Sequence, residues 1–411
     1  MTPDGKVREP IGEGTKGPLA GLVVLDLGHF YMAPYATMLM ALAGADVIKV
    51  EPPGGEHLRY RGDNRRVIFP FLMLNSNKRG ITLNLKSELG RQTLRRMIAK
   101  ADVLIDNFAP GVMSRLGLAP EDVLRINPQI VCASGSGFGR TGPYAHYPAA
   151  DITIQAMSGV MSITGFADGP PVKAGPAIAD FSGGAHLYGA IVTALFERER
   201  TGRGQEVEVA LYDSVYPSMA SALGLYHGSE GSSTQRTGNR HNGLAVAPYN
   251  VYQTLDGWIS IMCFSNAHWQ SLVALMDLAD LHEDSIFQTV ESRAIAIDRV
   301  DEIVSQWTTK TETAELDERL RAAGVPCAPV RGLEDVAADP HLVERGMIQW
   351  MDHREFGPVP MPGSPMRLGS HAPTPLLESP LLGEDNAEVY RGWLGLDEDE
   401  YQQLVDEQVI V

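Results

Sequence analysis

The stretch "LAGLVVLDLGHFYMAPYATMLMALAGADVIKV" (19–50) decides the fold class, because it contains two apolar strands joined by a helix. Residues 19–28 form an apolar run that ends in glycine, which is typical of a buried strand. A helix follows between Pro34, whose fixed φ suits a first turn, and Gly44, which ends it. The next strand covers 45–55 and stops at a Pro-Pro-Gly-Gly turn. This order of elements predicts two parallel strands with a helical crossover.

The alternation of strand and helix continues beyond this segment. Further elements are predicted as helices over 87–101 and 120–127 and as strands over 102–108 and 129–137, and residues 205–214 are predicted as a strand followed by the start of a helix. Strand and helix alternate from residue 19 to residue 137, which predicts a parallel sheet with helices on its faces. A long helix over about 183–199 precedes the last of these strands.

A second group of elements follows residues 226–243, whose Gly, Ser and polar composition indicates a linker or a mobile loop. Strands over 257–264 and 325–330 and helices over 266–277, 297–307 and 312–323 predict a smaller α/β unit. Residues 340–380 are rich in Pro, Gly and His and indicate an extended arm. The predicted division is a disordered lead-in over 1–18, a large domain over 19–225, a small domain over 226–330 and a C-terminal arm over 331–411.

Composition and charge exclude several functional classes. A hydrophobic content of 44% and a charged content of 21% are those of a soluble globular protein. The net charge of −17 argues against non-specific binding to nucleic acid. The longest apolar stretch, 33–50, is interrupted by Pro, Gly and Asp, so no membrane span is predicted. Cys132, Cys263 and Cys327 are far apart and lack C-x-x-C spacing, which predicts free thiols in a reducing cytoplasm rather than disulfides or a zinc site.

The motif "GFGRTG" (137–142) matches the glycine pattern of a dinucleotide-binding loop after a strand. That loop requires a helix immediately after it, so that the helix N-terminus can hold a pyrophosphate. Residues 143–151, "PYAHYPAAD", contain two prolines and no helical periodicity. The sequence therefore argues against a nicotinamide cofactor, and a glycine-rich loop beside another ligand stays open.

A basic cluster interrupts this acidic chain. It comprises Arg59, Arg61, Arg65, Arg66, Lys78 and Arg79. Two adjacent cations are usually a solvated pair, but this concentration in a chain of net charge −17 indicates a local site for an anion such as a phosphate. His29 ends the first strand, where α/β sheets commonly bind ligands, and is the histidine that we retain as a candidate.

The octapeptide "AIADFSGG" (177–184) sets Asp180 before the predicted long helix. Two interpretations follow from the residues alone. As an N-cap, Asp180 would accept a hydrogen bond from a first-turn N–H group, which stabilises a helix by about 1 kcal/mol. The helix dipole would also lower the pKa of the carboxyl group and keep it ionised, and an ionised carboxylate beside glycines is accessible to an electrophilic carbon, as a nucleophile must be.

Several ordered segments together resemble one known family, the class III CoA-transferases, also called the CaiB/BaiF family. The segments include 19–55, "NSNKRGITLNLK" (75–86), "ADVLIDNFAPGVMSRLGL" (101–118), "GPAIADFSGG" (175–184) and "RTGRGQEVEVALYDS" (200–214). The resemblance begins near residue 19 and continues to the C-terminus. It implies a Rossmann-like large domain, a smaller α/β domain, a C-terminal arm that returns to the large domain, and an interlocked homodimer.

The resemblance also implies roles for individual residues. It makes Asp180 the catalytic nucleophile and coenzyme A or an acyl-CoA the substrate, with no permanently bound cofactor and no metal. Contacts to CoA are implied for His29, Lys78, Arg79, Asn107 and Arg115, and Phe138 of the glycine-rich loop is added as a further contact. Oxyanion donors would be the N–H groups of Gly183 and Gly184 or those of glycines in the 238–243 loop, and the sequence does not choose between them.

The implied reaction transfers CoA from an acyl-CoA donor to a carboxylic acid acceptor through an aspartyl mixed anhydride and an aspartyl-CoA thioester. An α-methylacyl-CoA racemase-like isomerase and a CoA-binding protein without turnover are the alternatives. Related racemases carry a His-Asp pair where this chain has Ala150, which disfavours racemisation. Succinyl-CoA is a candidate donor, because Arg236, Arg240 and His241 could hold a second carboxylate.

Overall fold

The structure is a computed structural model that describes residues 11–12, 16–60, 67–231 and 236–411. The described chain forms two compact units. The first comprises the residues up to Ile154, Pro176–Val215 and Ala337–Val411, and the second comprises Gln155–Gly175 and Tyr216–Val336. Most of the predicted lead-in lies outside the described residues. The domain boundaries expected after residues 225 and 330 stay a prediction.

The strands of both units are short, and most strand residues of the first unit are buried. In chain order they are β1 (Val23–Asp26), β2 (Asp46–Glu51), β3 (Arg79–Thr82), β4 (Val103–Asp106), β5 (Val131–Ser136), β6 (Glu206–Ala210), β7 (Tyr249–Gln253), β8 (Trp258–Met262), β9 (Cys327–Pro329), β10 (Ile348–His353) and β11 (Gly357–Pro362).

The helices range from single turns to more than six turns. In chain order they are α1 (Met32–Leu42), α2 (Phe69–Asn75), α3 (Glu88–Ile98), α4 (Val112–Arg115), α5 (Pro120–Ile126), α6 (Asp151–Met157), α7 (Val160–Ile163), α8 (Ile178–Thr201), α9 (Leu211–Val215), α10 (Ala220–Gly228), α11 (Asn266–Leu275), α12 (Val290–Ile295), α13 (Ile297–Thr308), α14 (Thr313–Ala322), α15 (Leu333–Ala337), α16 (Pro340–Glu344) and α17 (Glu398–Asp406).

A six-stranded parallel sheet forms the first unit, in the order β3-β2-β1-β4-β5-β6. The predicted α/β class with a Rossmann-like parallel sheet is therefore confirmed. The strand order reverses between β1 and β4, which creates a crevice at the carboxyl ends of these two strands, where such sheets bind ligands. His29 follows β1, and Asn107 follows β4.

The N-terminal half of α8 packs closely on α1, because two glycines remove the side chains between them. A Cβ atom at Gly184 would lie 2.6 Å from the carbonyl oxygen of Met32, and one at Gly183 would lie 2.6 Å from a methyl carbon of Leu211. A larger residue at Gly183 or Gly184 would force α8 away from α1. The glycine pair thus fixes where the first turn of α8 lies.

The end of the chain completes the core of the first unit. Asn386 donates to the Oγ1 atom of Thr82 at 3.1 Å and to the carbonyl of Val411, and Tyr390 donates to the carbonyl of Thr82 at 2.7 Å. Val389 and Tyr390 lie in the same apolar cluster as the strands β1 and β2. The C-terminal segment therefore returns to the sheet. Within the stretch expected to be a plain extended arm, however, β10 and β11 form an antiparallel hairpin.

The second unit contains a three-stranded antiparallel sheet in the order β7-β8-β9. Helices α11, α13 and α14 contribute apolar residues to a separate buried cluster, including Trp269, Leu272, Val304 and Leu320. The strands and helices predicted between 257 and 330 are present. The predicted linker 226–243 is partly helical, because α10 extends to Gly228, and residues 232–235 lie outside the described part.

Candidate active site

Asp180 lies within the first turn of α8, so it is not the N-cap that the sequence suggested. The helix begins at Ile178, and its N-cap is Ala177, which makes no side-chain capping bond. The side chain of Asp180 is half-buried. This position is compatible with the other interpretation, in which Asp180 is a reactive group at the N-terminal end of the helix.

Burial raises the pKa of Asp180 from the ordinary 3.8 to about 7, and the nearby negative charge of Asp151 contributes. This is the opposite of the expected lowering by the helix dipole. The reason is that desolvation of a carboxylate and repulsion by a second carboxylate both disfavour the ionised form. No cationic side chain among the described residues pairs with Asp180 to offset these effects. An ionised carboxylate with a raised pKa is also a stronger base, and hence a better nucleophile, than an ordinary aspartate.

Asp151 connects α6 to the same turn of α8. Its Oδ1 atom accepts a hydrogen bond from the N–H group of Ala179 at 2.8 Å. One of the first N–H groups of α8 is thereby satisfied by a carboxylate, as helix N-termini favour. Asp151 therefore anchors the turn that carries Asp180 and also raises the pKa of Asp180.

Gly183 and Gly184 are one of the two glycine sets that the sequence offered as oxyanion donors, and their place in α8 does not favour them. Both are buried in the second turn of α8, so their N–H groups point along the helix to the carbonyl groups four residues earlier. Their function in the fold is the close approach of α8 to α1. The loop glycines between 238 and 243 belong to the other unit.

His29 and Asn107 face each other across the crevice between β1 and β4. The N–H group of His29 donates to Oδ1 of Asn107 at 2.7 Å, and Nδ2 of Asn107 donates to the carbonyl of His29 at 2.9 Å. The ring of His29 also lies 5.2 Å from the ring of Phe108. Both predicted residues are half-buried, so each presents part of its surface at the crevice.

Met32 lies between β5 and the second turn of α8, which directly follows the turn that carries Asp180. A Cβ atom at Gly183 would lie 3.1 Å from Cε of Met32. One at Gly135 would lie 2.6 Å from Sδ of Met32 and 3.4 Å from Cβ of Asn107. Met32, three residues after His29, therefore lies against β5 and α8, and the ring of Phe181, the residue after Asp180, lies 5.9 Å from the ring of Tyr31. His29, Asn107 and the turn of Asp180 thus belong to one region at the carboxyl edge of the sheet.

Lys78 lies in the interior of the protein, in contrast to its expected contact with CoA. It is fully buried, and its Nζ atom donates to Oδ2 of Asp26 at 2.9 Å, to Oδ1 of Asn75 at 2.9 Å and to the carbonyl of Pro34 at 3.1 Å. All three donor positions of the ammonium group are occupied by protein oxygens. We therefore do not include Lys78 in the proposed CoA site.

Arg79 and Arg59 also have structural partners. Arg79 is buried and forms ion pairs with Asp46 and with Glu388, the latter at 2.9 Å. Arg59 is buried, and its Nε atom donates to Glu51 at 2.8 Å. The predicted anion site of the basic cluster is thus corrected for its described members. Arg61, Arg65 and Arg66 lie outside the described residues.

Arg115 and Phe138 are both accessible. Arg115 is exposed at the end of α4, just beyond β4, and no carboxylate of the described chain pairs with it. Phe138 is half-buried in an aromatic cluster with Tyr144, Tyr147 and Tyr212, at ring distances of 5.5 to 6.0 Å. Both residues follow strands of the sheet at its carboxyl edge, so they stay candidates for contact with a ligand there.

Glu56 is a candidate that the sequence patterns did not indicate. It is buried, accepts the N–H group of Phe30 at 3.2 Å and lies 3.5 Å from Nδ1 of His29. Burial alone would raise the pKa of Glu56, but the neighbouring ring of His29 and the charge of Lys49 lower it. The sequence could have indicated Glu56 through its position directly after the Pro-Pro-Gly-Gly turn, because that turn brings the chain back to the end of β1.

The fold and this site define a class of protein, and sequence comparison identifies it. Residues 19–386 match the sequence model of CoA-transferase family III, so the chain belongs to that family. It is 37% identical to a formyl-CoA:oxalate CoA-transferase of Streptomyces coelicolor over 96% of this chain and 100% of the relative. It is 34% identical to a succinyl-CoA:mesaconate CoA-transferase of Haloarcula marismortui, over 91% of this chain and 96% of that one. The protein is accordingly an enzyme that transfers CoA.

Solved structures agree with this assignment. A CaiB/BaiF family protein from Brucella suis is 35% identical and superimposes with a TM-score of 0.80, covering 92% of this chain and 99% of that chain. Among the described residues of this chain, no helix is long and apolar enough to span a membrane. The same residues contain no group of His, Cys, Asp and Glu side chains suited to hold a metal ion.

Proposed function

We propose that Asp180 is the nucleophile of an acyl-CoA:carboxylate CoA-transferase. One observation carries the proposal: a half-buried carboxylate without a cationic partner among the described residues stands in the first turn of α8, beside the crevice between β1 and β4. Carboxylates placed in this way are costly to keep unless they do chemistry. Family membership supports the same assignment.

The reaction begins with attack of the Asp180 carboxylate on the thioester carbonyl of the donor. The C–S bond breaks, CoA leaves as a thiolate, and an aspartyl mixed anhydride forms. The thiolate then attacks the aspartyl carbonyl, which releases the donor acid and leaves an aspartyl-CoA thioester. The acceptor carboxylate attacks this thioester to form a second anhydride, and the thiolate attacks the acceptor carbonyl. The products are the new acyl-CoA and the regenerated carboxylate of Asp180. Each step of the sequence transfers one acyl group between a carboxylate and a thiolate.

His29, Asn107, Arg115 and Phe138 are the residues that we propose for contact with CoA. The mutual hydrogen bonds of His29 and Asn107 hold both groups at the crevice. The unpaired guanidinium of Arg115 can attract a phosphate of CoA. Phe138 offers an aromatic face near the end of β5.

We propose that the donor is the CoA thioester of a small carboxylic acid and that the acceptor is a second small carboxylic acid. Relatives at 36–37% identity are named for oxalate as acceptor, and others at 29–34% for succinyl-CoA as donor. The residues expected to recognise a second carboxylate are otherwise engaged in the described chain. Arg240 pairs with Asp298 and Asp301, both at 2.7 Å, and Arg236 donates to backbone carbonyl groups of the same unit. Succinyl-CoA thus stays a proposed donor beside formyl-CoA, without support from these arginines.

A racemase-like reaction is the weaker alternative. Two-sided proton transfer at an α-carbon requires a second base beside the first. Ala150 precedes Asp151 at the position of the expected histidine and is exposed. An isomerase would therefore have to use a different base.

We also propose a cytoplasmic homodimer. The helix α10 is apolar, with the sequence ASALGLYHG, yet none of its residues is buried. On α8, Phe196 is 65% exposed. Apolar helical surface of this kind is typical of a subunit contact, and mass measurement by light scattering tests it. The cytoplasmic location rests on three cysteines that are all free.

The decisive experiment incubates the full chain with succinyl-CoA or formyl-CoA and traps the enzyme with hydroxylamine. Mass spectrometry of the digest should find the hydroxamate on the peptide that contains Asp180, and oxalate or another acid should become a CoA thioester. The matched control is Asp180→Asn, which keeps the size of the side chain. Full transferase activity in Asp180→Asn would refute the proposal, and deuterium exchange at the α-carbon of a branched acyl-CoA without CoA transfer would favour the isomerase.

A further inference from the structure

A second cavity lies in the first unit, away from Asp180. Its volume is about 320 Å³, which is at the lower end of the range for pockets that bind small molecules. It is formed where α1 ends, at Leu42 and Ala43, and where the chain approaches β1 at Lys16 and Gly17. Because α1 begins near the crevice and runs away from it, ten residues separate the two ends of this helix, a rise of about 15 Å. The cavity is therefore at the opposite edge of the sheet from the proposed active site.

The charge of the cavity lining is the reverse of that of the chain. Three cationic side chains, Lys16, Arg345 and Arg367, line it together with the ring of His371, and no acidic residue of the described chain does. The chain as a whole has 51 acidic and 34 basic residues. None of these four side chains forms a salt bridge with a carboxylate of the described chain, whereas Arg59, Lys78 and Arg79 in the same unit all do. Mutual repulsion of unpaired cations costs stability unless an anion joins them.

Capping of the C-terminus of α1 does not explain why these cations lie there. Cations near a helix C-terminus can stabilise it by interacting with its last carbonyl groups. In this helix, however, the carbonyl of Leu42 accepts from Oγ1 of Thr374 at 2.8 Å, and the carbonyl of Ala43 accepts from the N–H group of Leu19 at 3.0 Å. The carbonyl of Ala41 accepts from the N–H group of Gly44. The end of α1 is thus satisfied by neutral donors.

The remaining walls suit an organic molecule rather than a bare ion. Leu42, Pro18, Met366 and Leu368 contribute apolar surface, and Tyr188 adds a half-buried aromatic ring with a hydroxyl group. Two guanidinium groups match carboxylate or phosphate oxygens in a bidentate manner. We propose that this cavity is a second binding site, for a small organic anion that carries at least two negative charges on an apolar body.

The two sources of such charge are carboxylates and phosphates, and calorimetric titration of the full chain at low salt distinguishes them. Succinate and citrate serve as the carboxylate probes, and AMP and inorganic phosphate as the phosphate probes. At least one organic probe should bind in addition to any binding at the active site. Arg345→Gln and Arg367→Gln should each raise its Kd by at least about ten-fold, the effect of losing one charged hydrogen bond. Arg203→Gln is the matched control, because Arg203 is exposed in the same unit and does not line the cavity.

Transferase kinetics separate this site from the active site. Arg345→Gln and Arg367→Gln should leave the KM for acyl-CoA unchanged when no probe is added. The proposal is overturned if no probe binds, if both variants bind the probe as the wild type does, or if both raise the KM for acyl-CoA. The proposal is also overturned if Arg345→Gln or Arg367→Gln changes the molecular mass in light scattering while no probe binds. The two arginines would then belong to a subunit contact.

Discussion

Asp26 and Asp180 are two carboxylates of the same unit, near the carboxyl edge of one sheet, and their environments drive their pKa values in opposite directions. Burial alone would raise the pKa of Asp26, but the charges of Lys49 and Lys78 and the hydrogen bonds from Lys78 and Thr37 lower it to about 2. Asp180 is less buried and has no cation, and its pKa rises to about 7. The difference shows that the partners of a carboxylate, more than its depth, decide the direction in which its pKa shifts.

The pKa of Asp106 lies between those of Asp26 and Asp180. Burial raises the pKa of Asp106 to about 6, although the N–H group of Phe108 and the charge of Arg140 oppose the rise. A hydrogen bond from Phe108 and the charge of Arg140 therefore do not restore an ordinary pKa to this buried carboxyl group. For Asp26, by contrast, the two cations Lys49 and Lys78 lower the pKa below its ordinary value.

Loss of the proposed nucleophile should have the largest effect on activity. Asp180→Asn should lower kcat by at least about a thousand-fold, because an amide cannot form the mixed anhydride. The measurement is the rate of acyl-CoA formation, with circular dichroism to check the fold. Asp151→Asn is the control, since its amide oxygen can still accept the N–H group of Ala179. If Asp151→Asn is as inactive as Asp180→Asn, the reactive carboxylate has been assigned to the wrong residue.

Loss of the structural carboxylate should instead lower stability. Asp26→Asn leaves the buried ammonium of Lys78 without its counter-ion, and breaking such a pair costs about 3–5 kcal/mol. Urea unfolding followed by fluorescence measures this free energy. A cost below about 1 kcal/mol would mean that Lys78 finds another partner, which would weaken the contrast between the two carboxylates.

The pH dependence of the rate should follow the ionisation of Asp180. The protonated form is not nucleophilic, so kcat/KM for the acyl-CoA should rise with pH through about 7 and then level off. Asp151→Asn removes the neighbouring negative charge and should move the midpoint to lower pH. A midpoint below pH 5 in the wild type would show that Asp180 is well solvated or paired, against the structure.

The smallest expected effect is a pH-dependent change in stability of opposite sign for the two residues. The folded state raises the pKa of Asp180 above the unfolded value near 3.8, so its ionisation destabilises the fold as the pH rises through about 7. Asp180→Asn should therefore melt a few degrees higher than the wild type at pH 8 and equally at pH 3.5. For Asp26, whose pKa is lowered, the stabilisation is present above pH 4 and is lost as the pH falls through about 2.

The sequence predicted the parallel sheet and the helices α1, α3, α5 and α8, because apolar strands and glycine stops are local signals. The run 19–50 contains a strand, a helix and a second strand, and the structure has the same order. The hairpin of β10 and β11 was not predicted, since proline-rich strands lack the usual alternation. The contacts of Asn386 and Tyr390 with Thr82 join residues about 300 positions apart, and no local pattern encodes such a distance.

The candidate site could be predicted only in part. The segment that carries Asp180 was found through a family resemblance, and its role stays a prediction. The raised pKa could not be foreseen, because it depends on Asp151 and on burial by packed elements. Lys78 and Arg79 illustrate the converse: two adjacent cations have the same sequence whether they face solvent or buried carboxylates. Only the register of β2 and β3, which aligns Arg79 with Ile48, settles where the side chains lie.

The most direct test of the nucleophile follows oxygen atoms through a single turnover. The acceptor acid is supplied with both carboxylate oxygens as ¹⁸O, together with one equivalent of donor acyl-CoA. The proposed sequence delivers one ¹⁸O atom to the carboxylate of Asp180 and retains the other in the new acyl-CoA, and mass spectrometry of the peptide and of the thioester reads both. If the label instead appears in the released donor acid and the Asp180 peptide stays unlabelled, the acceptor attacked the donor directly and Asp180 is not the nucleophile.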